Sequence, residues 1–149
     1  MMNAQAKTLH LLLAPASQTN SATRTANLDC AGASYAEIVM TLASAINTDA
    51  VGPTVSLLES DDTTASNFAT FNADLNATSL TITTAKARSY HVDLKGRKRY
   101  LRLSVTTKTA TNDNVTMGAV AFLSRKSTEP SSEANMAGDT NSVVTVAGL

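Results

Sequence analysis

Few residues in this sequence could carry catalytic chemistry. His10 and His91 are its only histidines, and neither has a carboxylate and a nucleophile patterned around it. The segment 32–36 reads GASYA, which is half of a nucleophile elbow, because the second glycine is missing. The sequence also lacks a glycine-rich phosphate-binding loop. We therefore predict a protein that has no catalytic residues and is not an enzyme.

Metal chemistry would have to come from Glu59, Asp61 and Asp62, since hard cations take clustered oxygen ligands. These residues end a predicted strand, Val55–Ser60, and we favour a solvated strand end over a metal site. The single cysteine, Cys30, excludes an internal disulfide framework and a cysteine-based zinc site. We expect it to be a small buried side chain. No metal and no cofactor is predicted.

The densest charge in the chain surrounds Gly96. We call the segment Lys95–Arg102 the basic turn, and its cations are Lys95, Arg97, Lys98, Arg99 and Arg102. Arginine forks suit bidentate contacts with carboxylate or phosphate, so the turn is a candidate for binding an acidic partner. In the alternative interpretation it is a solvated turn whose charges keep a sheet edge from pairing. In either case we expect its charges to be dispensable for folding.

Three observations argue against nucleic acid and membrane as partners. The formal net charge is zero, and no series of aromatic residues accompanies the basic turn. No stretch of the sequence approaches the roughly 18 consecutive apolar residues of a membrane span. With 149 residues the chain is long enough for one domain with a buried core.

The elements that position these residues show a period of two, which is typical of strands. In the segment 98–106, apolar and polar residues alternate, and Tyr35–Ala43 alternates in the same way, which favours a strand over a helix there. The faces predicted to point inward are Leu9, Leu11 and Leu13; Ala36, Ile38, Met40 and Leu42; Tyr90, Val92 and Leu94; and Leu101, Leu103 and Val105. The parity of His91 predicts an exposed side chain. Val115–Ser124 is apolar on both parities, as expected for a strand covered on both faces.

About eight such strands at this spacing predict an all-β fold. We expect a two-sheet antiparallel sandwich, with the jelly roll as the favoured form. An immunoglobulin-like sandwich is the main rival, although the sequence lacks the Cys…Trp…Cys pattern of true immunoglobulin domains.

The composition changes at Ser127, after which the chain is polar as far as Val143. We predict a sandwich domain over residues 1–126 and an extended C-terminal arm over residues 127–149, which could reach about 75 Å when fully extended. The arm residues predicted to contact a partner are Pro130, Val143, Val144, Val146 and Leu149. The alternative is a segment that folds back along its own sheet.

Several short segments carry a resemblance to a known family. They are 28–38 with Leu28, Asp29, Gly32 and YAEI, 59–62 (ESDD), 93–101 (DLKGRKRYL), 119–125 (AVAFLSR) and Pro130. Together they resemble the capsid decoration, or cement, proteins of tailed bacteriophages. The resemblance spans residues 28–130, and DLKGRKRYL is its most specific part. It implies a β-sandwich or jelly-roll fold and a structural role.

The resemblance also implies partners and a location. The expected partner is the phage major capsid protein, with copies of the chain itself as a second partner. The protein would be made in the bacterial host cytoplasm and would bind the outside of the capsid, cementing neighbouring subunits in the virion. The alternative is a tail or head-fibre component, such as a carbohydrate-binding module. That alternative is weakened by the absence of Trp and by the presence of only three Tyr, because sugar sites use exposed aromatic platforms.

Overall fold

A computed structural model describes residues 7–19, 21–43, 51–71, 79–81, 85–107, 115–124 and 141–146. Its strands are β1 (Lys7–Gln18), β2 (Thr23–Asp29), β3 (Tyr35–Leu42), β4 (Val51–Ser60), β5 (Ala69–Thr70), β6 (Ser79–Thr81), β7 (Lys86–Asp93), β8 (Tyr100–Thr106), β9 (Val115–Ser124) and β10 (Asn141–Val146). A single turn of 3-10 helix, Ala65–Asn67, lies between β4 and β5. Within these ranges no helix is long and apolar enough to span a membrane.

The strands form two sheets that pack face to face. Sheet A has the order β1-β9-β3-β7-β10, and sheet B has the order β2-β8-β4-β5, with β6 also paired to β4. From β1 to β4 and again from β7 to β9, consecutive strands alternate between the two sheets, so that β1-β9-β3-β7 faces β2-β8-β4-β5. This is the strand order of a jelly roll. The predicted all-β antiparallel sandwich is confirmed.

The core lies between the sheets and contains most of the predicted inward faces. Ala36, Ile38, Met40 and Leu42 on β3 are each at most 2% exposed, and Leu101, Leu103 and Val105 on β8 are at most 1% exposed. Tyr90, Val92 and Leu94 are also buried. Each buried Val or Leu side chain of this kind stabilises the fold by about 1.5–3 kcal/mol relative to exposure. The period of two therefore predicted these faces correctly.

The prediction for β1 is wrong at two of three positions. Leu13 is buried, but Leu9 and Leu11 are 63% and 66% exposed. The cause is a bulge, because Leu11 lies opposite Val120 of β9 while Leu13 lies opposite the next residue, Ala119. An extra residue on one strand reverses the parity of side chains beyond it. Leu12 rather than Leu11 consequently packs against the core.

Two further predictions about covered faces are wrong. β9 is not buried evenly on both faces, since Val120 and Phe122 are only partly buried on the outer face of sheet A. His91 lies on that same outer face, as its parity predicted, but it is 7% exposed. Its Nδ1 is hydrogen-bonded to the hydroxyl of Tyr35, which is itself buried. The alternation along a strand predicts on which face of the sheet a residue lies. It does not predict whether neighbouring side chains cover the residue on that face.

The C-terminal arm is described only in part. Asn141–Val146, which includes Val143, Val144 and Val146, forms β10 and pairs in parallel with β7, from Ala87 to Val92. These six residues therefore fold back along the molecule's own sheet, which is the alternative to an extended arm. Pro130, Leu149 and the boundary between residues 126 and 127 lie outside the described residues, and the division into domain and arm stays a prediction.

Candidate functional site

The basic turn connects β7 to β8 at one end of the sandwich. Gly96 has a φ of 75°, in the left-handed region that a glycine enters without a steric penalty. The N–H of Arg97 donates to the carbonyl of Leu94 at 3.1 Å, and the N–H of Lys95 donates to Asp93 Oδ1 at 2.9 Å. The loops that follow β2 and β4 end beside this turn and supply carboxylates to it.

Arg99 makes the most regular of these contacts. Its Nε and Nη2 donate to Oδ1 and Oδ2 of Asp29 at 3.0 and 2.7 Å, which is a bidentate pair. The hydrogen bonds from Arg99, together with one from the N–H of Ala31, lower the pKa of Asp29 to about 2. The same pairing raises the pKa of Arg99. Both side chains are about half exposed, so the pair fixes the loop after β2 against the turn more than it adds stability.

Arg97 is the buried cation of the turn. Its side chain is 5% exposed, and its Nη1 lies 3.8 Å from Oε1 of Glu59, whose side chain is 15% exposed. The guanidinium stacks on the ring of Phe71, 4.5 Å from the centroid. Glu59 also accepts a hydrogen bond from the N–H of Lys98 at 3.3 Å. Burial makes this pair the electrostatic contact that is most sensitive to removal of one partner.

The loop after β4 uses its other two carboxylates separately. Asp61 Oδ2 lies 3.0 Å from Lys98 Nζ in an exposed ion pair. Asp62 accepts hydrogen bonds from Asn67 Nδ2 at 2.8 Å and from the N–H of Thr64 at 2.7 Å, and these bonds lower its pKa. Across the described ranges, no group of three or more His, Cys, Asp and Glu side chains is placed to hold a metal ion.

Arg102 lies on the outward face of β8 and joins three elements. Its Nε donates to Asn27 Oδ1 on β2 at 2.8 Å, and its Nη1 donates to the carbonyl of Ala65 at 3.2 Å. Its guanidinium lies 3.7 Å from the centroid of the Phe68 ring. Cation–π contacts of this kind contribute about 0.5–2 kcal/mol, depending on how far the cation is desolvated.

The structure thus brings the predicted basic residues together and gives most of them partners inside the chain. Arg97, Lys98 and Arg99 each pair with a carboxylate, while within the described ranges Lys95 forms no ion pair. The expectation that these charges are dispensable for folding stays a prediction, and the largely buried pair of Arg97 with Glu59 argues against it at that position. Sequence reasoning missed the roles of Phe68 and Phe71, although their position beside the acidic segment 59–62 was a usable indication.

Cys30 is not a reactive group in this arrangement. It is 6% exposed, and burial raises the pKa of its thiol to about 12. The thiol is therefore protonated at neutral pH and is a poor nucleophile. The prediction of a small buried side chain is confirmed.

A second surface lies on the outer face of sheet A, on β1 and β9. Leu9 and Leu11 are its exposed apolar side chains, and Phe122 and Val120 lie opposite them on β9. We call these four residues the apolar row. Exposed apolar groups that adjoin one another are typical of a binding surface.

Comparison with known proteins identifies no relative. No protein-family model matches the chain, and no curated protein matches its sequence.

Proposed function

We propose that the protein is a structural virion protein that binds the outside of a bacteriophage capsid and cements neighbouring major capsid subunits. The observation that carries the proposal is a jelly roll whose described charged groups pair with one another and hold its own loops together. The resemblance over residues 28–130 supports the same assignment. The function is binding by a rigid body, without catalysis.

Cementing requires only modest affinity from each copy. A symmetric shell repeats every contact many times, so that small free energies add up over the particle. The loops at the turn end of the sandwich are held by ion pairs, which preserves the shape of that end when the shell is under load. Lys95 remains exposed on the turn and is the residue there best placed to meet an acidic capsid surface.

The alternative, a carbohydrate-binding module on a tail or fibre, requires exposed aromatic rings. Tyr35 and Tyr90 are 5% and 2% exposed, and Phe68 is 9% exposed. The third tyrosine, Tyr100, is partly buried, and the guanidinium of Arg99 lies 4.9 Å from its ring centroid. The burial of Tyr35 and Tyr90 and the contact of Arg99 with Tyr100 leave none of the tyrosines as an exposed platform, which weakens the sugar-binding alternative.

Copy number tests the proposal. In purified particles of the phage that encodes the chain, quantitative mass spectrometry against the major capsid protein should find on the order of hundreds of copies, as expected for a contact repeated by shell symmetry. A handful of copies would place the protein in the tail or in a fibre. Its absence from purified particles would contradict any role in the virion.

A further inference from the structure

The first half of β1 is an open sheet edge. Among the described residues, β1 lies at the end of sheet A and pairs on one side only, with β9. From Lys7 to Leu11 the pairing is regular, and the two register shifts fall after Leu11 and after Leu13. Bulges and prolines are the usual protection of an edge, and here both the shifts and Pro15 lie in the second half of the strand. Within the described ranges, no strand pairs with the outer edge of Lys7–Leu11, and Lys7 is the one charged side chain of this segment.

The same half-strand carries the exposed part of the apolar row. Leu9 and Leu11 are the large apolar side chains that the described residues leave exposed, and both point outward from sheet A. The corresponding edge of sheet B, β2, is different, because its outward residues include Thr25 and Asn27. One edge of the sandwich thus combines free backbone groups with exposed apolar side chains, and the other does not.

We propose that Lys7–Leu11 pairs in antiparallel fashion with the same segment of a second copy, across a two-fold axis at Leu9. An antiparallel pair of identical strands is self-complementary, which is what a two-fold interface requires. With Leu9 opposite Leu9, all five regular residues find a partner: Leu11 lies opposite Lys7, and His10 lies opposite Thr8. Sheet A of one copy then continues into sheet A of the other.

The charges on this face are compatible with a second copy. Lys7 is the only charged residue of the segment, and in this register the two Lys7 residues lie at opposite ends, about 13 Å apart along the strands. Each Lys7 Nζ already lies 3.7 Å from Glu37 Oε2 and 5.6 Å from the centroid of the Phe122 ring. No like charges lie opposite one another, and the lysine stem adds to the apolar row. Because Lys7 is the only charged residue of the segment Lys7–Leu11, this segment offers little electrostatic attraction to a strongly charged partner.

This interface is independent of the proposed function, since it requires only the chain itself. Sedimentation equilibrium over a range of concentrations should show a monomer–dimer equilibrium for the full-length protein. In a dimer of the double variant Leu9→Lys/Leu11→Lys, the new cation at position 9 lies opposite its own copy, and the one at position 11 lies opposite Lys7 of the second copy. It should raise the dimer dissociation constant by at least about tenfold. The control Thr25→Lys, on the edge of sheet B, should leave the dissociation constant unchanged. At concentrations where the wild type is monomeric, all variants should keep its melting temperature because these side chains are exposed.

Cross-linking tests the register. Residues opposite each other on one face of an antiparallel pair have Cβ atoms about 4.5–5.5 Å apart. A Leu9→Cys variant should therefore form a disulfide-linked dimer on mild oxidation, and Leu11→Cys should do so far less, because Leu11 faces Lys7. Cys30 is buried and serves as an internal control. A wild-type protein that stays monomeric at every concentration would overturn the proposal. So would a dimer that the double variant leaves intact, or no more cross-linking at Leu9→Cys than at Thr25→Cys.

Discussion

Replacing Leu103 with alanine is expected to lower the free energy of unfolding by about 2–5 kcal/mol. Leu103 is 1% exposed in the middle of β8, opposite Ala26 on β2 and Leu57 on β4. Removing most of its side chain leaves a cavity between the sheets that β2 and β4, each held in register by pairing with β8, cannot fill. Equilibrium unfolding in urea measures the change.

The matched control for this substitution is Ser104→Ala. Ser104 is the next residue of β8 and points outward, so its substitution should change the free energy of unfolding by no more than about 0.5 kcal/mol. If Ser104→Ala destabilised the protein as much as Leu103→Ala, the assignment of the two faces of β8 would be contradicted.

Replacing Arg97 with glutamate is expected to destabilise the protein by about 3–5 kcal/mol, the usual effect of removing one partner from a buried ion pair. The substitution places a second carboxylate beside Glu59, whose side chain is 15% exposed, and it removes the cation stacked on Phe71. Both changes affect largely buried side chains, where water cannot fully solvate the unpaired charges. Urea unfolding and the melting temperature should both report the loss.

The basic turn itself supplies the control. Lys95 is exposed, and the described part of the chain gives it no ion pair, so Lys95→Glu should leave the free energy of unfolding nearly unchanged. The exchange Arg97→Glu/Glu59→Arg should recover part of the stability lost in Arg97→Glu, because it restores opposite charges. Equal stability of Arg97→Glu and Lys95→Glu would mean that the turn is a solvated loop, as the sequence suggested.

The sandwich could be predicted because its main signal is local. The alternation of Leu101, Leu103 and Val105 with polar residues indicates which side of the strand faces the core. This pattern can be read from neighbouring residues alone, without knowing which other strands pack against them. The same signal failed at Leu9 and Leu11, because a bulge after Leu11 reverses the parity and no glycine or proline marks it in the sequence.

The candidate site could be found only in outline. The cluster of cations in the basic turn is visible in the sequence, but the carboxylates that neutralise it come from other strands. Asp29 is 70 positions away from Arg99 in the chain, and which acidic residue meets which cation depends on the strand order. The jelly-roll topology brings the ends of β2 and β4 beside the turn, and a period of two contains no information about that order.

The stability of shells with and without the protein tests the central claim most directly. Under the proposed function, phage particles that lack the gene for this chain should release their DNA at a lower temperature than wild-type particles. Adding the purified protein should restore the release temperature as the outer surface becomes occupied. If the protein bound these particles and left the release temperature unchanged, or if it did not bind them at all, the cementing function would be contradicted.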